Sequence, residues 1–445
     1  MSPELTRTFR AFRNRNYRLY AMGGVLSNTG TWIQRVAQDW LVLQLHGGSA
    51  AQASTALGIT TGLQFLPVLL FSPYAGLVAD RMPKRRLLQM TQGWMGISSG
   101  ILAILAISGV VQPWMVFAVA LVFGIGAAFD APARQAFVSE MVVPEDLTNA
   151  VSLNSASFNL ARVIGPAVAG FLLAALGSTI QHGHPVTHHA LAASGWVIMI
   201  NAVSYLFVIA ALQAMRDREL LVNPRAPREK GMVRQGFRYV RNRPDLMMIL
   251  VAGFFAGTFG MNFQMTSALM ATQVFHKGSG QYGLLGTTLA IGSLTGALLG
   301  ARRVAKPRPH YVIVAGVAFA LVEVALGLMP SYLVFAIATP LLGLSLITML
   351  NSANTTVQLT TEPTMRGRVM ALYMMLVMGG TPIGAPFIGW VGATFGARWT
   401  LVGGGLLSLA GIAIAVAVFR GLDGRPTLGR AREDDSEVTD AAMAA

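Results

Sequence analysis

The sequence predicts an all-α membrane protein with twelve transmembrane helices in two six-helix parallel repeats. Three observations predict this fold: long apolar runs, basic residues in every second loop, and a short polar motif that occurs twice. Of 445 residues, 53% are hydrophobic and only 12% are charged. A soluble domain of this length would need a much more polar surface.

The apolar runs are long enough to cross a bilayer, because a helix needs about 20 residues to span the hydrocarbon core. Gly, Pro and Asn residues interrupt predicted helices 4, 5, 10 and 11, so the ends of these helices are the least defined. The predicted helices, numbered 1 to 12 in chain order, lie near Leu19–Leu45, Thr55–Val78, Leu87–Val110, Pro113–Phe129, Thr148–Leu176, Leu191–Met215, Leu246–Val274, Tyr282–Gly300, Tyr311–Met329, Ser331–Leu350, Val369–Phe395 and Trp399–Phe419.

Lys and Arg residues are concentrated in alternate loops. They cluster before helix 1, in the loops between helices 2 and 3, 6 and 7, 8 and 9, and 10 and 11, and after helix 12. The alternate loops hold only Lys277 and Arg398. By the positive-inside rule, both termini are cytoplasmic. The formal net charge of +14 then reflects topology and anionic lipid head groups. We therefore expect the bilayer, and no nucleic acid, as a partner.

Several chemistries are excluded or disfavoured. The chain has no cysteine, which excludes disulfides and thiolate sites. It has no phosphate-binding loop and no catalytic constellation, so we expect no enzyme, no ATP-driven pump, no cofactor and no metal. A group of histidines between helices 5 and 6 is interpreted as a solvated loop, with an external metal or pH-sensing site as the alternative. These are His182, His184, His188 and His189.

A polar motif precedes both helix 1 and helix 7. The motif F-R-x-x-R-N-R occupies residues 9–15 and again 237–243, which indicates a basic amphipathic helix at the membrane surface. Gly165-Pro166 of helix 5 also matches Ala385-Pro386 of helix 11. The recurrence predicts parallel repeats, with chance similarity of apolar helices as the alternative. The expected units are residues 1–215 (first bundle), 216–244 (cytoplasmic linker), 245–420 (second bundle) and 421–445 (disordered cytoplasmic tail).

The loop after helix 2 reads GLVADRMPKRR from Gly76 to Arg86. It is similar to the signature G-x-x-x-D-R-x-G-R-R of the major facilitator superfamily, with Pro83 in place of the second glycine. The resemblance extends from Phe9 to Phe419 and implies alternating access by a single chain, with a basic cluster stabilising one state. Alternatively, the basic residues of this loop could serve only to keep it on the cytoplasmic side of the membrane, but that role would not explain Gly76 or Asp80. The expected cytoplasmic gate is Gly76, Asp80, Arg81, Arg85, Arg86, Asp130 and Arg134.

Helix 5 carries Gly165, Pro166 and Gly170. These residues look like the G-P-x-x-G-G motif of family members that export by antiport. Such a helix is bent and close-packed and can seal a leak pathway. The chain thus resembles the bacterial branch of siderophore, secondary-metabolite and macrolide exporters. It departs from drug antiporters in having no arginine within helix 4.

Charged residues inside spanning helices cost at least about 2.5 kcal/mol each at the bilayer centre, so we treat them as functional candidates. Asp39 can carry a proton. Arg35, one turn earlier, can change the proton affinity of Asp39 or form a permanent structural ion pair with it. Arg162 can bind an anion, compensate Asp39 or bind helix carbonyls. Glu323 is an alternative coupling residue, although the resemblance places helix 9 at the periphery of the fold.

Polar and methionine side chains at helical spacing predict a central cavity, since methionine repacks around varied substrates. Alternatively, these side chains take part in ordinary packing between helices and line no cavity. The cavity candidates are Asn28, Thr31, Asn159, Thr258, Asn262, Thr266, Asn351 and Met375.

The sequence therefore predicts a proton-coupled exporter, a monomer that moves amphipathic organic molecules such as drugs, siderophores or secondary metabolites. An importer, symporter or facilitator on the same fold is the first alternative. A non-transporting membrane sensor is the second, and the charges within the helices disfavour it.

Overall fold

The computed structural model describes residues 9–47, 49–180, 186–221, 232–302 and 309–422. His182, His184, much of the linker and all of the predicted tail after residue 422 lie outside the described residues. Every regular element within the described ranges is helical. The predicted all-α class is therefore confirmed.

The long helices match the predicted ones in order, and we label them α1 to α12. Within the described residues, eleven helices, α2 to α12, are long and apolar enough to cross a membrane. Helix α1 has 31 residues, but its many polar side chains keep it outside this set. The bounds are α1 Arg15–Leu45, α2 Ala50–Arg81, α3 Lys84–Ile107, α4 Pro113–Met141, α5 Pro144–Ala175, α6 His188–Gln213, α7 Pro244–Val274, α8 Ser279–Arg302, α9 Pro309–Gly327, α10 Tyr332–Thr360, α11 in two parts Pro363–Gly379 and Thr381–Phe395, and α12 Ala397–Leu422.

Some helices extend further than the apolar runs predicted. Helix α4 continues to Met141 and α10 to Thr360, because helical hydrogen bonding does not stop where side chains become polar. Asp130 and Arg134 consequently lie within α4, so the expectation of no arginine within helix 4 is wrong.

The two copies of the polar motif fold differently. The first forms a short 3-10 turn, Arg10–Arg13, followed by Asn14, whose side chain accepts a hydrogen bond from the Tyr17 N–H and caps α1. The second lies at the end of an α-helix, Met232–Arg241, and Pro244 then begins α7.

Helices α7 and α11 are both interrupted. Helix α7 contains π-helical turns at Ala256–Gly260 and Met270–Val274, and α11 breaks at Gly380. The interruptions face each other, since a Cβ on Gly384 would collide with the carbonyl oxygen of Thr258. Small residues in α11 therefore make room for the irregular turn of α7.

Helices α1 to α6 pack mainly on one another, as do α7 to α12, and we call these the first group and the second group. In the first group, α3 packs on α6, α2 on α4, and α1 on both α5 and α6. In the second group, α8 packs on α10, and α9 packs on α10 and α12. Helices α2 and α11, and helices α5 and α8, make the largest contacts between the groups.

Glycines allow these contacts between groups. A Cβ on Gly58 of α2 would lie 3.0 Å from the Cα of Gly389 in α11, and a Cβ on Gly283 of α8 would lie 2.8 Å from the Cα of Gly170 in α5. Both pairs lie toward the end where α1 leads into α2 and α7 into α8, which we call the closed end. The opposite end, which begins α3 at Lys84, is called the basic end.

Gly283→Ala should loosen the closed end, because the added methyl group has no room between α5 and α8. Since the chain has no cysteine, a single cysteine at buried Ser54 can report opening. We expect faster maleimide labelling of this cysteine and a lower melting temperature in detergent. Gly280→Ala is the matched control, since its Cβ would meet the Ala174 Cβ at an ordinary 3.8 Å. Equal labelling rates in both variants would contradict this role.

Candidate functional site

Asp39 joins the two groups of helices near the closed end. The side chain is 7% exposed, and its Oδ2 accepts a hydrogen bond from the Tyr282 O–H at 2.9 Å and one from the Gln264 amide at 3.0 Å. The Tyr282 ring also stacks on Trp40, with ring centres 6.3 Å apart. Asp39 belongs to the first group and both donors to the second, so a buried carboxylate acceptor bridges the interface.

A second polar contact closes the same end. The Gln273 amide of α7 donates to the carbonyl oxygen of Ala50 at 3.1 Å and lies 3.5 Å from the Ser54 hydroxyl of α2. Asp39 is recognisable from the sequence as a functional candidate, whereas its donors Tyr282 and Gln264 are not. A glutamine inside an apolar helix is a weak signal, and a tyrosine gives none, because their partner lies in a distant part of the chain.

Arg35 does not pair with Asp39. Its guanidinium lies over the Trp32 ring at 5.1 Å and over the Phe65 ring at 5.3 Å, measured to the ring centres. The buried Arg35 Nε has no hydrogen-bond partner. The permanent structural ion pair considered from the sequence is therefore absent, and cation–π contacts hold this arginine.

Arg162 lies near the middle of α5, and its buried Nη2 also has no hydrogen-bond partner. Asn159, one turn earlier, donates its amide to the backbone oxygen of Ser155 at 2.9 Å. Arg162 thus faces neither a carboxylate nor a helix carbonyl among the described residues.

Glu323 lies apart from these residues, inside the second group. It is 1% exposed, and its Oε2 has no hydrogen-bond partner. The carboxyl group occupies a space between α7 and α12, where a Cβ on Gly260 would lie 2.9 Å from Oε2 and one on Gly404 3.1 Å from Oε1. Glu323 is therefore buried behind α7 and does not share a site with Asp39.

Asp130 is the centre of a hydrogen-bond network inside the first group. Its Oδ2 accepts from Arg134 Nε at 3.0 Å, and its Oδ1 accepts from Thr91 and Gln92 at 2.9 and 2.6 Å. Gln92 in turn accepts from the Ser27 hydroxyl of α1 at 3.1 Å. The network ties α1, α3 and α4 together.

The loop after α2 is bound to its own group in this conformation. Lys84 pairs with Glu140 at 2.5 Å, and Arg85 pairs with Asp217 and donates to backbone oxygens at the end of α6. Three further candidates are exposed and have no ion pair among the described residues: Asp80, Arg81 and Arg86. Gly76 has no atom within 4 Å of a Cβ position. The expected gate residues thus do not pair across the groups here.

The motif of α5 has two faces. Gly165 packs against Trp32 of α1. Pro166 and Gly170 pack instead against α8, where Gly283 fits between them. One motif therefore shapes both the interior of the first group and the contact between groups.

The predicted cavity residues fall into two sets. Five of them are partly or fully exposed: Asn28, Thr31, Asn159, Asn351 and Met375. The Thr31 hydroxyl also forms a hydrogen bond with the Tyr205 hydroxyl at 3.2 Å. The α7 residues are buried where α7 packs within the second group: Thr258, Asn262 and Thr266.

Comparisons with known proteins agree with this arrangement. The family described as transmembrane secretion effector matches residues 6–423. The chain belongs to this family of major facilitator proteins. The resemblance drawn from the loop after α2 and the motif of α5 is thus confirmed.

Two curated relatives have names that describe transport. The staphyloferrin A transporter of Staphylococcus aureus is 26% identical, with the match covering 61% of this chain and 63% of the relative. The multidrug efflux pump Tap of Mycolicibacterium fortuitum is 26% identical, with 82% and 86% covered. The chain thus spans less than two thirds of the first relative and most of the second.

A solved structure has the same fold. A bacterial homologue of the human lysosomal transporter Spinster, in an inward-facing and unoccupied conformation, superposes with a TM-score of 0.68. The superposition covers 91% of this chain and 97% of the other, at 16% identity. The chain therefore shares the fold of this structure.

Tyr282→Phe should weaken the closed end, because it removes one O–H donor to the Asp39 carboxylate. A hydrogen bond to a charged group contributes about 1.5–3 kcal/mol, so open states should rise about tenfold or more. Spin labels at Thr55 and Phe395, measured by double electron–electron resonance, would show a new long-distance population. Tyr332→Phe is the control, since its hydroxyl donates to the Gln281 carbonyl within the second group. An unchanged distance distribution in Tyr282→Phe would contradict the bridge.

Asp130→Asn should destabilise the first group, because it leaves the buried Arg134 guanidinium without its anion. Breaking a buried pair costs about 3–5 kcal/mol, so we expect a clear fall in the melting temperature in detergent. Asp80→Asn serves as the control, since Asp80 is exposed and unpaired, and its melting temperature should stay unchanged. Equal melting temperatures for both variants would argue against the network.

Proposed function

We propose that this protein is a proton-coupled exporter of amphipathic organic molecules that works by alternating access. The observation that carries the proposal is Asp39, a buried carboxyl group bound across the two groups by neutral donors alone. A carboxylate at a moving interface can bind and release a proton once per cycle.

The proposed architecture has twelve spans in two halves, residues 1–215 and 245–420, related by a pseudo-twofold axis. The contacts between groups support this symmetry. Gly58 packs on the Ala385 carbonyl oxygen and Gly62 on the Pro386 ring. In the corresponding contact, Gly283 and Gly286 pack on Pro166.

The proposed orientation places the basic end in the cytoplasm, together with both termini, in a bacterial inner membrane. The positive-inside rule supports it, since Lys84, Arg85, Arg86, Arg366 and Arg368 all lie at that end. With the closed end outside, the conformation described above is the inward-open one.

The proposed cycle follows from the cost of burying a charge. When the outer end is open, Asp39 meets water and takes a proton from outside. Neutral Asp39 can then be buried as the end closes. The proton leaves toward the cytoplasm, and the Tyr282 hydroxyl and Gln264 amide stabilise the carboxylate that remains. Proton entry thereby drives substrate in the opposite direction.

The substrate class is proposed from the cavity and the relatives. Aromatic rings of Trp32, Phe65 and Phe158 and the flexible Met375 provide apolar contact surface. The named relatives are a siderophore transporter and a multidrug efflux pump, which favours export of mid-sized organic molecules. We propose a single chain in the bilayer as the working unit, with no enzymatic step.

Asp39→Asn tests the coupling. In proteoliposomes with an imposed pH gradient, the wild type should move amphipathic dyes or siderophores away from the cytoplasmic side, and entrapped pyranine should report proton flux. The variant should lose gradient-driven movement, because the amide takes no proton at these pH values. Substrate exchange without a gradient should persist, since it needs no proton.

Glu323→Gln is the matched control, because Glu323 is buried in the second group away from Asp39. It should keep driven transport. If Glu323→Gln lost gradient-driven transport and Asp39→Asn retained it, proton coupling would be assigned to Glu323. Accumulation on the cytoplasmic side would instead indicate import.

A further inference from the structure

Two arginines within the first group have no anionic partner. Arg35 and Arg162 form no ion pair with any described residue, and each has a buried nitrogen without a hydrogen-bond partner. Two other arginines differ: Arg134 of the first group pairs with Asp130, and Arg398 of the second group donates to the carbonyl oxygen of Gly327. Arginine remains charged at physiological pH, so these two positive charges need an anion from elsewhere or water.

One indole ring, that of Trp32, contacts Arg35 and the segment of α5 that carries Arg162. The guanidinium carbon of Arg35 lies 5.1 Å from the centre of the Trp32 ring. Phe158 and Gly165 of α5 both contact Trp32, the former with ring centres 6.2 Å apart. Arg162 lies one helical turn from each of them, so it projects from the same face of α5. Trp32 therefore contacts Arg35 and also the face of α5 that carries Arg162.

Asp39 makes no direct contact with either arginine in the described conformation. Its carboxylate is bound by the Tyr282 hydroxyl and the Gln264 amide, and it forms no ion pair with Arg35. The Trp32 and Phe65 rings lie over the Arg35 guanidinium, which leaves its N–H edge as the donor surface. Two unpaired cations beside aromatic rings thus remain available to a ligand.

We propose that Arg35 and Arg162 form a binding subsite for an organic carboxylate. A guanidinium presents two parallel N–H donors that match the two oxygens of a carboxylate. The rings of Trp32, Phe65 and Phe158 contact the apolar or aromatic body of the same molecule. This inference rests on the proposed export function and names its substrate class: amphipathic acids in preference to neutral or cationic compounds.

Binding without a gradient tests the subsite. The full chain in nanodiscs is titrated against fluorescent 1-pyrenebutyrate and against its neutral amide, and binding is followed by fluorescence anisotropy. The two probes share one aromatic body and differ in the charged group. The acid should bind at least about tenfold more tightly than the amide, as expected for charge-assisted hydrogen bonds.

Variants assign the preference to the two arginines. Arg35→Gln and Arg162→Gln should each lower the affinity for the acid about tenfold to 100-fold and leave the affinity for the amide unchanged. Arg162→Lys should retain part of the preference, because the charge remains while the two-pronged geometry is lost. Phe158→Ala should lower the affinity for both probes, because it removes an aromatic contact that the acid and the amide share. Melting temperatures verify that each variant is folded.

Arg18→Gln is the matched control, since Arg18 is an exposed arginine of α1 at the basic end that forms no ion pair with any described residue. It should change neither affinity. Equal affinities of the wild type for acid and amide, no binding of the acid, or a parallel loss of both probes in the glutamine variants would overturn the proposal. Because no gradient is applied, preferential binding of the acid together with a failure of proton-driven transport would count against the export mechanism alone.

Discussion

The close approach of backbones at the closed end is the constraint on which the rest of the structure depends. Helices α2 and α11 meet at Gly58 and Gly389, and helices α5 and α8 meet at Gly170 and Gly283. In lipid, no hydrophobic effect drives helices together, so close packing and hydrogen bonds must hold them. Only where the backbones come this close can the side chains of one group reach donors on the other.

Asp39 depends on that approach. Its carboxylate is buried because the groups meet there, and its burial is tolerable because Tyr282 and Gln264 donate to it. If the groups separate, both donors leave and water replaces them. In the proposed cycle the same side chain would have two environments with different proton affinity, which is the physical requirement for coupling a proton to a conformational change.

The charges of the first group fall into two classes. Asp130 and Arg134 satisfy each other inside a network that joins three helices, and this network keeps the first group rigid. Aromatic rings lie over the Arg35 guanidinium, and no described residue pairs with Arg162. A rigid bundle that carries uncompensated cations at its centre is suited to bind an anion that comes and goes.

The sequence by itself determined the helical class, the order of the helices and the family, because apolar run length and a contiguous loop motif are local properties of the chain. It also identified Asp39 and Arg162, since a charge in an apolar helix is conspicuous. It did not place Asp130 inside α4, because hydropathy records where a helix leaves the lipid and not where its hydrogen bonds end. Only the tertiary structure decided that Tyr282 and Gln264 bind Asp39, that Arg35 stacks on Trp32 and Phe65, and that Glu323 is buried behind α7. Those partners lie far apart in the chain, and which pairs meet depends on how closely glycines let the helices approach.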